Sequence, residues 1–203
     1  MKALLMGFEP FGGEAVNPSW EVAQSLSFER FDRIQVISRR LPTVFGESID
    51  QAIEAISTVQ PDVVIALGQA GGRTGIGLER VALNIDDAAI ADNNGNQPCD
   101  APIMEGAPAA YFATLPIKVL VEEVQKAGIP AATSNSAGTF VCNHTMYGIL
   151  HYINESRLPI RAGFIHLPYL PEQASSKKEA PSMSLAEMLT ALRVVLTVLS
   201  RSS

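Results

Sequence analysis

The sequence predicts an α/β fold, a mixed and mostly parallel central sheet with helices on both faces. Three observations carry this. Apolar runs of strand length alternate with helical patterns along the whole chain. Pro61 and Pro130 stand where strands should begin, and Gly128 stands where a helix should end. The 203 residues are 47% hydrophobic and 18% charged, a balance that builds a sizeable core, so the chain reads as a single domain over residues 1–203.

The elements follow in order. The first strand is Lys2 to Met6, an apolar run too short for a signal-peptide core and without a cleavage site behind it. A helix over Ser19 to Ser27 leads to a strand over Arg33 to Ser38. A longer helix, Val44 to Val59, leads to a strand over Asp62 to Leu67. Between Arg73 and Pro108 the helical period disappears. Ile76 and Leu78, then Val81, Leu83 and Ile85, alternate with a one-residue slip, which predicts a strand pair or a bulge. Asp86 to Gly106, rich in Asn, Asp and Pro, reads as an excursion over the sheet's rim. The helical period returns over Ile117 to Ala127 and is followed by a strand, Ala131 to Ser134. A helix over Cys142 to Glu155, a strand over Ala162 to Leu167 and a helix over Ser184 to Leu199 complete the order.

Charge and composition exclude several classes. A net charge of -6 with no basic run argues against a nucleic-acid phosphate backbone as ligand. No stretch has the length needed to span a bilayer. Cys99 and Cys142 lie in unlike contexts and suggest no disulfide framework, which fits a reducing cytoplasm.

Cys142 opens a helix and His166 closes a strand. A thiol is a nucleophile only as thiolate, so it needs a helix N-terminus, a cation or a base. Of three histidines, His144 lies roughly 200° around the helix from Cys142 and His151 roughly 13 Å along it. His166 remains as partner, and a wheel that turns His144 away from the thiol predicts only a mild loss of activity when it is removed. The competing interpretation is plain: a free cysteine on an apolar stripe with Met146, Ile149, Leu150 and Ile153 can be a small buried hydrophobe. Zinc is disfavoured, because Cys142 and His144 diverge and no other Cys/His cluster has ligand spacing. No metal or cofactor is expected.

Ligands of open α/β sheets sit outside the carboxyl ends of the strands. Residues 7–13, 68–72, 136–142 and 166–168 are all expected to arrive there, which places Cys142 and His166 on one rim. The turn Gly68-Gln69-Ala70-Gly71-Gly72-Arg73 matches neither the dinucleotide fingerprint nor the P-loop. A carboxylate must orient His166. Glu79, Asp86, Asp87, Asp92 and Glu172 are all candidates, and spacing does not choose among them. Phe140 and Val141 would dominate any pocket beside the thiol.

Five motifs in order resemble one family. They are Gly7-Phe8-Glu9-Pro10-Phe11-Gly12-Gly13; Gly68-Gln69-Ala70-Gly71-Gly72-Arg73; Glu79-Arg80-Val81-Ala82-Leu83-Asn84; Gly138-Thr139-Phe140-Val141-Cys142-Asn143-His144; and His166-Leu167-Pro168-Tyr169-Leu170-Pro171-Glu172-Gln173. From Met6 to about the final helix, the chain is similar to the pyroglutamyl-peptidase I (pyrrolidone-carboxylate peptidase) family of bacteria. The resemblance implies a cytosolic cysteine exopeptidase that removes an N-terminal pyroglutamyl residue from peptides through a thioester. It implies Cys142 as nucleophile, His166 as base and acid, and Glu79 as the orienting carboxylate. A lactam pocket of Phe8, Phe11, Thr43, Gln69, Ile90, Phe140 and Val141 carries over with it. So do a fold similar to that of purine nucleoside phosphorylases and a homotetramer.

One departure stands out. The family usually reads Ala-Arg-Ile-Pro-Asp-Asn where this chain has Ala88-Ala89-Ile90-Ala91-Asp92-Asn93. Two other readings follow from the same residues: a nucleoside or sugar-phosphate enzyme on a similar sheet, or a pyroglutamyl-binding protein whose turnover is impaired by Ala89.

Overall fold

The computed structural model describes residues 1–27 and 29–201. In chain order the elements are β1 (Lys2–Phe8), α1 (Pro18–Ser25), β2 (Arg30–Phe31), β3 (Ile34–Leu41), α2 (Glu47–Val59), β4 (Val63–Gln69), β5 (Ile76–Glu79) and β6 (Val81–Leu83). They continue with β7 (Ala110–Phe112), α3 (Ile117–Lys126), β8 (Ala131–Ser134), α4 (Val141–Glu155), β9 (Arg161–Leu167), α5 (Pro171–Ala174) and α6 (Leu185–Arg201). Strands order as β2-β3-β1-β4-β9-β5-β8 in the main sheet, and β6 pairs with β7 apart from it. The β3-β1-β4-β9 block is parallel; β2 joins β3, and β5 joins β9, in antiparallel fashion.

Strand alternation divides the core into two layers. Ala3 and Leu5 of β1, with Val63, Ile65 and Leu67 of β4, face α1, α3 and α6. Leu4 and Met6, with Val64 and Ala66, face α2 and α4. Strands buried on both faces read as continuous apolar runs, and for this reason they were visible in sequence. In α6 the apolar stripe of Met188, Ala191, Leu192, Val195, Leu196 and Leu199 is fully buried in the first layer.

The predicted fold class holds, and two local expectations change. The slip between Ile76 and Ile85 separates strands that do not pair with each other: β5 lies between β9 and β8, while β6 pairs with β7. The second helix starts at Glu47, three residues later than expected, because Gly46 ahead of it takes φ 75° and the Phe45 N–H is bonded to Asp92. The two-residue β2, three-residue β7 and four-residue α5 are too short to show a period in sequence.

Candidate active site

The sheet's reversal at β5 builds the site. Parallel register sets Gly68 of β4 beside His166 of β9, and antiparallel register sets Gly77 of β5 on the other side. Glu79 pairs with Phe164. Residues two apart on a strand share a face, so Glu79, Phe164 and His166 all project into the layer that holds α4. The helix enters this layer at Cys142. A Cβ built on Gly68 would lie 2.8 Å from the Cys142 Sγ and 2.7 Å from the Phe164 Cζ, so only a residue without a side chain lets the thiol settle beside β9.

The rim argument therefore reaches the right neighbourhood by the wrong route. Strand β8 runs parallel to β5 and thus opposite to β9. Residues 135–140 leave its far end and return over the sheet's face. The thiol rests on that face, against β4 and β9.

His166 is 3% exposed and Glu79 0%. The Nδ1 of His166 lies 2.7 Å from Glu79 Oε1, which also accepts from the Arg73 guanidinium at 2.8 Å. With an ionised carboxylate as partner, Nδ1 carries the proton and Nε2 keeps its lone pair. Of the five candidate carboxylates, Glu79 is the one hydrogen-bonded to His166; Asp86 instead meets His144 at 2.8 Å.

Burial pushes the Glu79 carboxyl up, but the hydrogen bond and charge of His166, then Ser134 and Arg73, outweigh it and hold it below its ordinary value. For His166, burial outweighs the attraction of Glu79 and lowers the imidazole, with Arg73 acting in the same direction as burial. Burial, then the charge of Glu79, pushes the Cys142 thiol up to about 12 against the pull of Arg73. The residue as a whole is only part-buried, while its sulfur occupies the space beside Gly68. At neutral pH the resting pair is thus thiol and imidazole, both uncharged, beside an ionised carboxylate.

The α4 N-cap, Phe140, has extended backbone and offers no side-chain acceptor. First-turn amides have no partner within their helix, and at α4 that turn carries Cys142. They are available to an oxygen that gains negative charge.

The expected pocket residues take the following places. Phe8 packs on Phe164 with ring centroids 6.2 Å apart, and Phe11 on Phe140 at 5.9 Å. The Thr43 hydroxyl donates to the Glu9 carbonyl at 2.9 Å. Gln69 Oε1 accepts from Gln173 Nε2 at 2.8 Å. Ile90, 47% exposed, brings its Cδ1 to 3.8 Å from where a Gly12 Cβ would be. The Val141 side chain is fully buried in the core layer, so only its backbone stands at the helix mouth. Ala89 and Ala91 are exposed in the loop beside Ile90.

Sequence reasoning missed Phe45 altogether, and it weighed Asp92 only as a possible partner of His166. Phe45 stands edge-on to Phe140 at 5.4 Å and to His144 at 5.2 Å. Buried Asp92 organises its loop by accepting from the backbone of Phe45, Asn94 and Asn96 and from the Asn96 side chain. Burial raises its carboxyl, and those bonds outweigh burial to hold it low. The polar run from Asp86 to Gly106 carried a usable signal, since Asp-Asn-Asn-Gly is turn chemistry. Gln173 carried none. Among the described residues no cluster of three or more His, Cys, Asp or Glu side chains is placed to hold a metal, and no helix is long and apolar enough to cross a membrane.

A helix-borne thiol, an imidazole and a buried carboxylate on one face of an α/β sheet define the class of cysteine-type hydrolases. Comparison with known proteins narrows the class. The family model for pyroglutamyl peptidase matches residues 1–202. The chain is 54% identical to pyrrolidone-carboxylate peptidase 2 of Caldanaerobacter subterraneus subsp. tengcongensis, over 100% of this chain and 98% of that one. With the pyrrolidone-carboxylate peptidase of Yersinia pestis identity is 51%, over 97% and 92%. The crystal structure of pyroglutamyl peptidase I from Bacillus amyloliquefaciens superposes with a TM-score of 0.94 at 50% identity, covering 97% and 95% of the two chains. Pyrrolidone carboxyl peptidase from Pyrococcus furiosus superposes with a TM-score of 0.97 at 43% identity, covering 100% and 99%. The chain belongs to the pyroglutamyl peptidase family of cysteine-type peptidases.

Proposed function

We propose that this chain hydrolyses the amide bond that follows an N-terminal pyroglutamyl residue, with Cys142 as nucleophile, His166 as base and acid, and Glu79 as the group that orients the imidazole. One observation carries the reading: the Cys142 sulfur rests on Gly68, the register partner of a buried His166 whose other nitrogen is held by Glu79.

Because thiol and imidazole both rest uncharged, the thiol's proton passes to His166 Nε2 as sulfur attacks the pyroglutamyl carbonyl carbon. The carbonyl oxygen becomes an oxyanion, and the first-turn amides of α4 stabilise it. The new imidazolium is stabilised by Glu79 and gives its proton to the departing amine, leaving a thioester. Water then attacks the thioester carbon and gives a proton to His166. Collapse of the second oxyanion expels the sulfur, which recovers its proton from His166 and releases pyroglutamate.

The pocket suits an uncharged ring. Phe11, Phe45 and Phe140 supply apolar surface, while Phe8 is buried against Phe164. Gln69 keeps its Nε2 free to donate, because Gln173 occupies its oxygen. A free N-terminal ammonium entering here would lose its hydration for aromatic faces, so peptides that begin with unblocked Glu or Gln are expected to be poor substrates. We also propose, on the family's habit, a cytoplasmic homotetramer; a monomer mass by light scattering would rule the tetramer out.

The direct test is release of a chromophore from a pyroglutamyl amide. Cys142→Ala is expected to lower kcat by about 10⁴-fold or more. Cys99→Ala, in an exposed loop, is expected to retain the wild-type rate. Equal losses from both substitutions would remove Cys142 from the mechanism.

A further inference from the structure

The Glu79 carboxylate is bonded from two sides at a single oxygen. Oε1 accepts from His166 Nδ1 at 2.7 Å and from Arg73 at 2.8 Å, while Oε2 has no hydrogen-bond partner among the described residues. Resting on the reading of Cys142, His166 and Glu79 given above, we propose that Arg73 is a positioning residue of this site: its fixed charge shares the Glu79 oxygen with His166 and moderates the carboxylate's pull on the imidazole.

Three features of the structure are built around this guanidinium. Gly77, the register partner of His166, leaves the space it fills; a Cβ there would fall on the Arg73 guanidinium. Its other nitrogen reaches the Ser134 hydroxyl at 3.4 Å and the Ser136 carbonyl at 3.5 Å. Arg73 thereby ties β5, the end of β8 and the segment that leads into Cys142. The Arg73 side chain is 31% exposed against 0% for Glu79, so the cation reaches in from solvent to a carboxylate that has none.

A buried carboxylate with one partner would place its whole charge on the imidazole and favour imidazolium, which cannot accept the thiol's proton. A second, permanent cation on the same oxygen relieves that demand. The charged and titratable groups acting on His166 are Glu79 from β5 and Arg73 from the loop before it, with the Cys142 thiol opposite on α4. Arg73 lowers both the imidazole and the thiol. Its removal shifts both upward.

The experiment follows the pH profile of kcat/KM for a pyroglutamyl amide, and in parallel the pH profile of Cys142 alkylation by iodoacetamide. In Arg73→Gln the acid limb is expected to move to higher pH by about half a unit or more. The kcat should fall about tenfold or more with KM little changed, because the effect acts on proton transfer rather than on ring binding. Alkylation should likewise need higher pH. Arg73→Lys should restore part of the shift, since it returns the charge without the fork. Gly77→Ala, which displaces the guanidinium, should reproduce the shift and add little to Arg73→Gln in the double variant. If Arg73→Gln does not fold, Gly77→Ala and Arg73→Lys carry the test. Unmoved limbs in folded variants, or shifts that simply add, overturn the proposal. A wild type that releases no chromophore overturns the peptidase reading instead, and the alkylation profiles still decide the role of Arg73.

Discussion

At Gln69 the orientation of one amide decides what a ligand can meet. Gln173, 4% exposed, accepts from the Leu170 N–H and donates to Gln69 Oε1. With its oxygen occupied, Gln69 is left its Nε2, the donor proposed above for a ring carbonyl. Gln173→Leu keeps approximate volume and frees Gln69 to flip, so KM for a pyroglutamyl amide should rise with kcat nearly unchanged. One hydrogen bond of about 0.5–1.5 kcal/mol corresponds to a rise of about two- to tenfold. An unchanged KM would detach Gln173 from recognition. Sequence could name Cys142 and His166 because thiols and imidazoles are few and their chemistry is narrow. It could not find Gln173 or Arg73, since a glutamine and an arginine announce nothing until their partners are known.

Helix α4 shows the same limit at the level of an element. Its period predicted the buried stripe of Met146, Ile149, Leu150 and Ile153, and those residues are buried. The opposite side is buried as well. Asn143 accepts from the Leu83 N–H and donates to the carbonyls of Leu83 and Ile85, the Thr145 hydroxyl donates to Ser48, and Tyr147 donates to the Pro108 carbonyl. The excursion between β5 and α3 thus covers the helix, and a wheel drawn on one segment cannot foresee a cover that arrives from another. His144 is the consequence. Its ring bonds Asp86 with Nδ1, accepts from the Gly46 N–H at 2.8 Å and stands against Phe45. Its loss, which the wheel predicts to be mild for activity, should therefore still weaken the fold. His144→Ala leaves the buried Asp86 carboxylate and the Gly46 N–H without their partner and should cost about 2–3 kcal/mol in urea unfolding. The Cys142 alkylation profile should stay in place. A displaced profile would mean that His144 reaches the thiol after all.

Across the whole molecule, the places of β1, β4 and β9 along the chain were legible because these strands are apolar on both faces, whereas strand direction was not. Nothing in Ile76–Glu79 marks it as antiparallel to β9, yet that reversal is what brings Glu79 to His166. Burying these groups also writes a pH signature into stability. His166 is held below its ordinary 6.5, so its contribution is present above 6.5 and is lost as pH falls through its folded value. Glu79 and Asp92 are held below 4.5 and 3.8, and their contributions disappear in a second, lower window. Cys142 is raised from 9.0 to about 12, so its contribution is complete below 9.0 and is lost on the alkaline side. Urea unfolding at fixed protein concentration should therefore give a plateau between those limits with a two-stage acid fall. His166→Gln should remove the first stage while keeping the second, and Cys142→Ser should flatten the alkaline fall. An acid fall with the same two stages in His166→Gln would show that the buried imidazole does not set it.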